Sequence, residues 1–343
     1  MYSFNPQLPD RSNAMNQKTF GQALNEALAI ALEIDDTVFV AGEGVGVSIH
    51  QDPNMPTQGL LQQFGPERVK DTPVSEAAIA GLAVGASCMG LRPVVEIMFF
   101  PFITLASDML INHAGKLRYM SGGKSSFPLT VRVKAGSGFG AGAQHSHNLE
   151  AWMAHCPGLK IVWPSTPEDA KGLLLSAIFD PDPVIVVEDM MLYRMPGDVP
   201  AGDIRTPIGK ARLASAGTDC TILAYGAALH TVMKAASPLR EQGIFCEVID
   251  LRSLVPLDKA CILESVRKTG RLVVVHEAIR FCGFGAELAA MVAEEAFDSL
   301  KGPIQRVGAP KIPVPVAPTH EAVFKPGPQD VIQAVREAMG KLK

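Results

Sequence analysis

The sequence predicts an α/β fold built as two consecutive parallel-sheet domains. Three observations predict it. Short apolar runs rich in valine and isoleucine alternate with longer stretches whose apolar residues recur at helical spacing, the pattern of a parallel sheet covered by helices on both faces. The alternation lapses in a Gly- and Pro-rich stretch, LYRMPGDVPAGDIRTPIGKARLASAGT at 192–218, and then resumes. At 343 residues the chain is also long for one domain and ample for two cores. Residues 1–16 read as a disordered lead-in, 17–192 as the first domain, 193–218 as a linker and 219–343 as the second domain.

The first domain opens with TFGQALNEALAIALEID (19–35), helical in its apolar spacing, and TVFVAG (37–42), a short buried strand. DTPVSEAAIAGLAVGASCMG (71–90) reads as a turn followed by a helix, then RPVVEIMFF (92–100) as a strand and ITLASDMLINHAGKLRYM (103–120) as one helix. PLTVRVKA (128–135), LKIVWP (159–164) and PVIVVED (183–189) are further strands, with the helix EDAKGLLLSAIFD (168–180) between the last two. Beyond the linker come the strand CTILAYG (220–226), the helix ALHTVMKAASPLREQ (228–242), and the strands FCEVIDL (245–251) and RLVVVHE (271–277). The helix GAELAAMVAEEAFDSL (285–300), the short strand IQRVG (304–308) and the helix VIQAVREAMGKL (331–342) finish the pattern.

Composition narrows the function. The formal net charge is −4 with no basic cluster, so neither nucleic acid nor a membrane surface is an expected partner. No apolar run reaches the length of a membrane span, and the first residues lack the cationic start and apolar core of a signal peptide. The six cysteines lie far apart with no C-x-x-C pair, as expected of reduced thiols in a cytoplasmic protein.

Motif by motif, several chemistries drop out. The glycine clusters GEGVG (42–46), GSGFGAG (136–142) and CGFGAE (282–287) miss the dinucleotide spacing; the first would need glycine where Val47 stands. HEAIR (276–280) places Arg280 where a zinc-binding H-E-x-x-H needs histidine. What remains is a set of polar and aromatic residues at the ends of first-domain elements: Glu43, Glu76, Phe99, Phe102 and the run Gln144–His145–Ser146. Ligands of open α/β sheets gather outside the carboxyl ends of the strands, where these residues converge. Glu76 poses the sharpest question. It is the one ionisable group in an otherwise apolar helix after Ser75, either a helix-start carboxylate favoured by exposed amides or a buried functional acid.

DTPVSEAAIAGLAVGASCMGLRPVVEIMF, KLRYMSGG, AQHSHNLEAW, HCPGLKIVWPSTPEDAKGLL and HEAIRFCGFGAE closely resemble the beta chain of 2-oxoacid dehydrogenase E1 components. The pyruvate, branched-chain and acetoin dehydrogenases belong to that group, and the resemblance runs from about residue 17 to the C-terminus. It implies a thiamine-diphosphate-binding fold, with a pyrimidine-binding domain followed by a transketolase C-terminal-type domain. By the same resemblance, Glu76 of the T-P-x-S-E motif shares a proton with N1′ of the cofactor's aminopyrimidine, and Glu43 is an inner carboxylate near that ring. Phe102 packs on the pyrimidine, Met98 lies on the same wall, and His145 assists substrate binding and acyl transfer. A potassium site maps to Leu129, Ala177, Ile178, Asp180 and Asp182.

Departures from the family pattern are informative. The G-D-G motif that holds Mg²⁺ and the diphosphate is absent, so the resemblance implies an alpha chain that supplies this half of the site. The expected assembly is an α2β2 heterotetramer that passes its acyl group to a lipoyl-bearing E2. An acid found in some relatives after the aromatic is replaced by Ile103, Thr104, Leu105 and Ala106. The loop at 47–58, with His50, Asp52 and Pro53, is longer than usual, either a variable surface loop or an altered substrate entrance. Two rival readings stand beside this one: an NAD(P)-dependent reductase built on the glycine clusters, and a non-catalytic partner of the alpha chain.

Overall fold

A computed structural model describes residues 15–46 and 52–340. Among the described residues, fourteen strands run in chain order: β1 Met15–Thr19, β2 Val38–Gly42, β3 Val69–Asp71, β4 Arg92–Ile97, β5 Leu129–Ala135, β6 Lys160–Val162, β7 Pro183–Asp189, β8 Pro196–Pro200, β9 Arg212–Ser215, β10 Cys220–Ala224, β11 Cys246–Asp250, β12 Ser253–Val255, β13 Leu272–Ile279 and β14 Gln305–Ala309. Most are buried on both faces, which is why they read as continuous apolar runs.

The first sheet has the order β12-β6-β7-β5-β4-β2-β3. Strands β3, β2, β4, β5, β7 and β6 are parallel. From β2 the chain steps out to β3 and returns as β4 on the other side, which puts a switch point between β2 and β4. The crevice outside their carboxyl ends is where such sheets bind ligands. One face is covered by the Phe20–Ile34 and Pro167–Ile178 helices. Both begin on threonine caps: Thr19 forms a capping box with Gln22, and the Thr166 hydroxyl accepts from the Asp169 amide ahead of a proline in the first turn.

The second sheet, β14-β13-β10-β11-β9, is parallel except for β9. The inner faces of the two sheets share one apolar core. Val131, Val133, Ile185 and Trp163 from the first half belong to it together with Leu223, Tyr225, Ile249 and Val274 from the second. Strand β12 reaches across the same seam, pairing antiparallel with β6 at the edge of the first sheet.

Three expectations need correction. The stretch read as a linker holds two strands: β8 pairs antiparallel with β1, and β9 pairs antiparallel with β11. Prolines at both ends of β8 disguised it, and a two-stranded edge tolerates them. Met15 and Asn16, assigned to the lead-in, belong to β1; residues 1–14 lie outside the described residues. The single helix expected over 103–120 is a tight 3₁₀ turn at Phe100–Thr104, then a wide π turn at Met109–Ala114 that continues as a helix through Gly115–Met120. Pro101 opens the tight turn. The later widening accompanies a close backbone approach: a Cβ on Gly158 would lie 1.7 Å from the Gly115 carbonyl oxygen.

Candidate active site

Glu43 directly follows β2 and Glu76 opens the helix Glu76–Cys88 that follows β3. The Thr72 amide donates to the Gly42 carbonyl at 3.0 Å and ties the two strand ends together. Both carboxylates are buried, Glu43 at 8% exposure and Glu76 at 6%. The Ser75 side chain makes no capping hydrogen bond, and Glu76 is the acidic residue of the helix's first turn. Glu43 Oε1 is buried and has no hydrogen-bond partner among the described residues. Burial pushes the Glu43 carboxyl above its ordinary range, the negative charges of Glu76 and Glu96 push it further, and Lys134 opposes them.

Across the switch point, β4 runs into Met98 and Phe99, which are half-buried, and the 3₁₀ turn that carries Phe102. His145 arrives from the long loop after β5. Its ring stands edge-on to Phe99 at 4.8 Å and to Phe102 at 5.1 Å between centroids. Phe139 from the same loop stacks on Phe99 at 6.4 Å. The structure therefore gathers Phe99, Phe102, Phe139 and His145 into one aromatic wall, while Gln144 is exposed and Ser146 buried beside them. An acid pair and an aromatic wall at one sheet edge suit a flat, nitrogen-bearing ring.

Beneath the acids lies a buried charge network that the sequence reading missed. Arg132 on β5, 1% exposed, donates to Glu188 at 2.6 and 2.8 Å and to Glu96 at 2.8 Å. Lys134 Nζ sits 2.6 Å from the other Glu96 oxygen, and the Tyr193 hydroxyl donates to Glu188 at 2.6 Å. Burial works to raise the Glu96 carboxyl, but Lys134 and Arg132 outweigh it and hold it below the usual range. Glu96 is paired in register with Gly42, one residue before Glu43, so the network underlies the acid pair. The available signal was charge at alternate positions of a buried strand, VRVK in β5.

Three of the five residues expected to hold potassium, Ile178, Asp180 and Asp182, contact side-chain cations. Lys160 Nζ lies 2.7 and 2.9 Å from the Asp180 oxygens and 3.2 Å from Asp182, and Arg118 donates to Asp182 at 2.6 Å. The Ile178 and Asp180 carbonyls accept from Arg92 at 3.2 and 3.4 Å. Side-chain cations thus touch oxygens of Ile178, Asp180 and Asp182 within the set that the resemblance marks for potassium. Of the 47–58 loop, residues 47–51, His50 included, lie outside the described residues. The rest is fastened down: Asp52 pairs with Arg194 at 2.8 Å, and Asn25 donates to the carbonyls of Pro56 and Gln58 at 2.8 and 2.9 Å.

Comparison with known proteins gives a consistent picture. Residues 16–196 match the family "Transketolase, pyrimidine binding domain" and residues 209–331 match "Transketolase, C-terminal domain". The chain is 44% identical over 333 residues to the acetoin:2,6-dichlorophenolindophenol oxidoreductase beta subunit of Bacillus subtilis (94% of this chain, 97% of the relative). It is 45% identical over 321 residues to the pyruvate dehydrogenase E1 beta subunit of Rickettsia felis, covering 94% and 98% of the two chains. Among solved structures, a split gene transketolase described as an inactive beta4 tetramer superposes with a TM-score of 0.77 at 23% identity, over 94% of this chain and 98% of that one.

Proposed function

Because the chain belongs to the family of pyruvate and acetoin dehydrogenase E1 beta subunits, with transketolase-type pyrimidine-binding and C-terminal domains, we propose that it forms the pyrimidine side of a thiamine-diphosphate site shared with an alpha subunit. The observation that carries this reading is the buried pair Glu43–Glu76 at the switch point, with one Glu43 oxygen left unpartnered. A ring nitrogen and its exocyclic amine are the complement such a pair lacks.

Thiamine diphosphate supplies carbanion stabilisation beside a carbonyl carbon. This chain's residues supply proton control and a dry wall. Glu76 would share a proton with ring nitrogen N1′, and its burial would keep water from competing there. Glu43, its carboxyl raised by burial and by the neighbouring carboxylates, takes up a proton more readily than an ordinary glutamate. Met98 and Phe102 would pack against the ring, and His145 would bind the substrate and assist its departure to the acceptor. The reaction is decarboxylation of pyruvate or cleavage of acetoin, with the acyl group handed to a lipoyl-E2.

The missing G-D-G motif supports an alpha subunit that holds Mg²⁺ and the diphosphate in an α2β2 heterotetramer. All six cysteines are free thiols, and no described helix is long and apolar enough to cross a membrane, which supports a cytoplasmic setting.

The test is Glu76→Gln in the complex with the alpha subunit, with reduction of an artificial electron acceptor on pyruvate, branched-chain 2-oxoacids and acetoin in turn. We expect a loss of at least about 100-fold with assembly intact. Turnover at the wild-type rate refutes the assignment of Glu76. Tight cofactor binding by this chain alone refutes the shared site.

A further inference from the structure

The loop that delivers Phe139 and His145 has few contacts of its own to hold its shape. Gly136, Gly138, Gly140 and Gly142 all adopt positive φ, between 72° and 114°. The His145 amide donates to the Gly142 carbonyl at 3.3 Å and one side chain of the loop serves its first glycine, but the middle of its backbone is satisfied from the second domain. Asn148 Oδ1 accepts from the Gly136 amide at 3.1 Å. Glu321 Oε1 accepts from the Gly138 amide at 2.5 Å and Oε2 from the Gly140 amide at 3.1 Å. Glu321 belongs to the second domain, on the Pro318–Phe324 helix, and is 3% exposed. Lys325, four residues on, donates to the Ser137 carbonyl at 3.2 Å and pairs with Glu277 of β13 at 2.5 Å. Val316 packs so closely that a Cβ on Gly142 would meet its methyl at 2.6 Å.

We propose that Glu321 is a positioning residue: its carboxylate, held in the second domain, clamps the amides of Gly138 and Gly140 and so fixes where Phe139 and His145 stand in the first-domain site. A buried carboxylate spanning two amides makes two charge-assisted bonds at once, and the glycines offer no side chain to substitute for them. The C-terminal domain is then part of the catalytic geometry. The consequence for His145 rests on the function proposed above; the clamp itself does not.

Hydrogen exchange read by mass spectrometry on the assembled complex tests it, with wild type, Glu321→Gln and Glu321→Ala side by side. For Glu321→Ala we expect exchange of peptides covering 136–148 to accelerate by about tenfold or more, with β4 and β10 unchanged. Glu321→Gln, with one acceptor oxygen left, should fall between, and it carries the comparison if the alanine variant does not assemble. In the acceptor assay kcat should drop about tenfold while the thiamine diphosphate concentration for half-saturation holds, because Glu43 and Glu76 lie off the loop. Wild-type exchange over 136–148 overturns the clamp, as does acceleration spread evenly through the second domain. Loop-specific acceleration with wild-type kcat overturns the positioning role. A wild-type complex inactive on every substrate, combined with loop-specific acceleration in the variants, supports the clamp and sinks the proposed function.

Discussion

Replacing Arg132 by methionine isolates what the buried network does. The substitution keeps length and removes charge. Glu96 retains Lys134 at 2.6 Å, whereas Glu188 keeps only the Tyr193 hydroxyl, at 2.6 Å, among its described partners. Glu188 is fully buried, so the substitution strips a buried carboxyl of the cation that made two hydrogen bonds to it. The expected penalty is the roughly 3–5 kcal/mol typical of breaking a buried ion pair by removing one partner. Urea unfolding of wild type and Arg132→Met at fixed protein concentration measures the difference directly. A difference below about 1 kcal/mol refutes the reasoning.

Three further outcomes follow from other parts of the molecule. Gly226→Ala should destabilise by about 3 kcal/mol or more and lower the thermal midpoint, because φ is +57° and the new Cβ would lie 2.3 Å from Trp163 Nε1 and 2.8 Å from Asp189 Oδ2; an unchanged melting curve contradicts the packing described. Lys134→Met removes the cation opposing burial, Glu76 and Glu96 at Glu43, so the Glu43 carboxyl should ionise at higher pH than in wild type. Its infrared band, identified by difference from Glu43→Gln, reports this, and a downward shift rejects it. His145→Ala should slow acyl transfer to a lipoyl acceptor by at least about tenfold more than reduction of the artificial acceptor; equal losses in the two assays remove His145 from the hand-off.

Most sheet strands and several covering helices were legible because apolar periodicity is a local signal and those strands are buried on two faces; β3, β12 and the Lys259–Thr269 helix were not. Glu43, Glu76, Phe102 and His145 were legible as polar and aromatic residues at strand ends. The aromatic wall that joins His145 to Phe99 and Phe102 was not, since it depends on a loop folding back over β4. Nor was Glu321, which acts 183 residues away from Gly138 and carries no motif of its own. Arg132, Glu96 and Glu188 could have been found, because charges inside runs such as VRVK have to be matched within the core. Strand β8 was hidden by the very prolines that mark its ends, and the π turn at Met109–Ala114 by a sequence that looks evenly helical.

The strand β12 borrowed by the first sheet bears on how such a protein can be cut or recombined. Among the described residues, the edge of β6 is closed by a strand that is synthesised about ninety positions later. A fragment ending anywhere in 193–218 would expose that edge, together with the apolar inner face normally shared with Leu223 and Ile249. The boundary visible in sequence is thus not a seam along which the chain separates. Anyone building chimaeras between relatives should exchange β12 and its flanks along with the first domain, treating residues 253–255 as its outermost strand although they are encoded within the second.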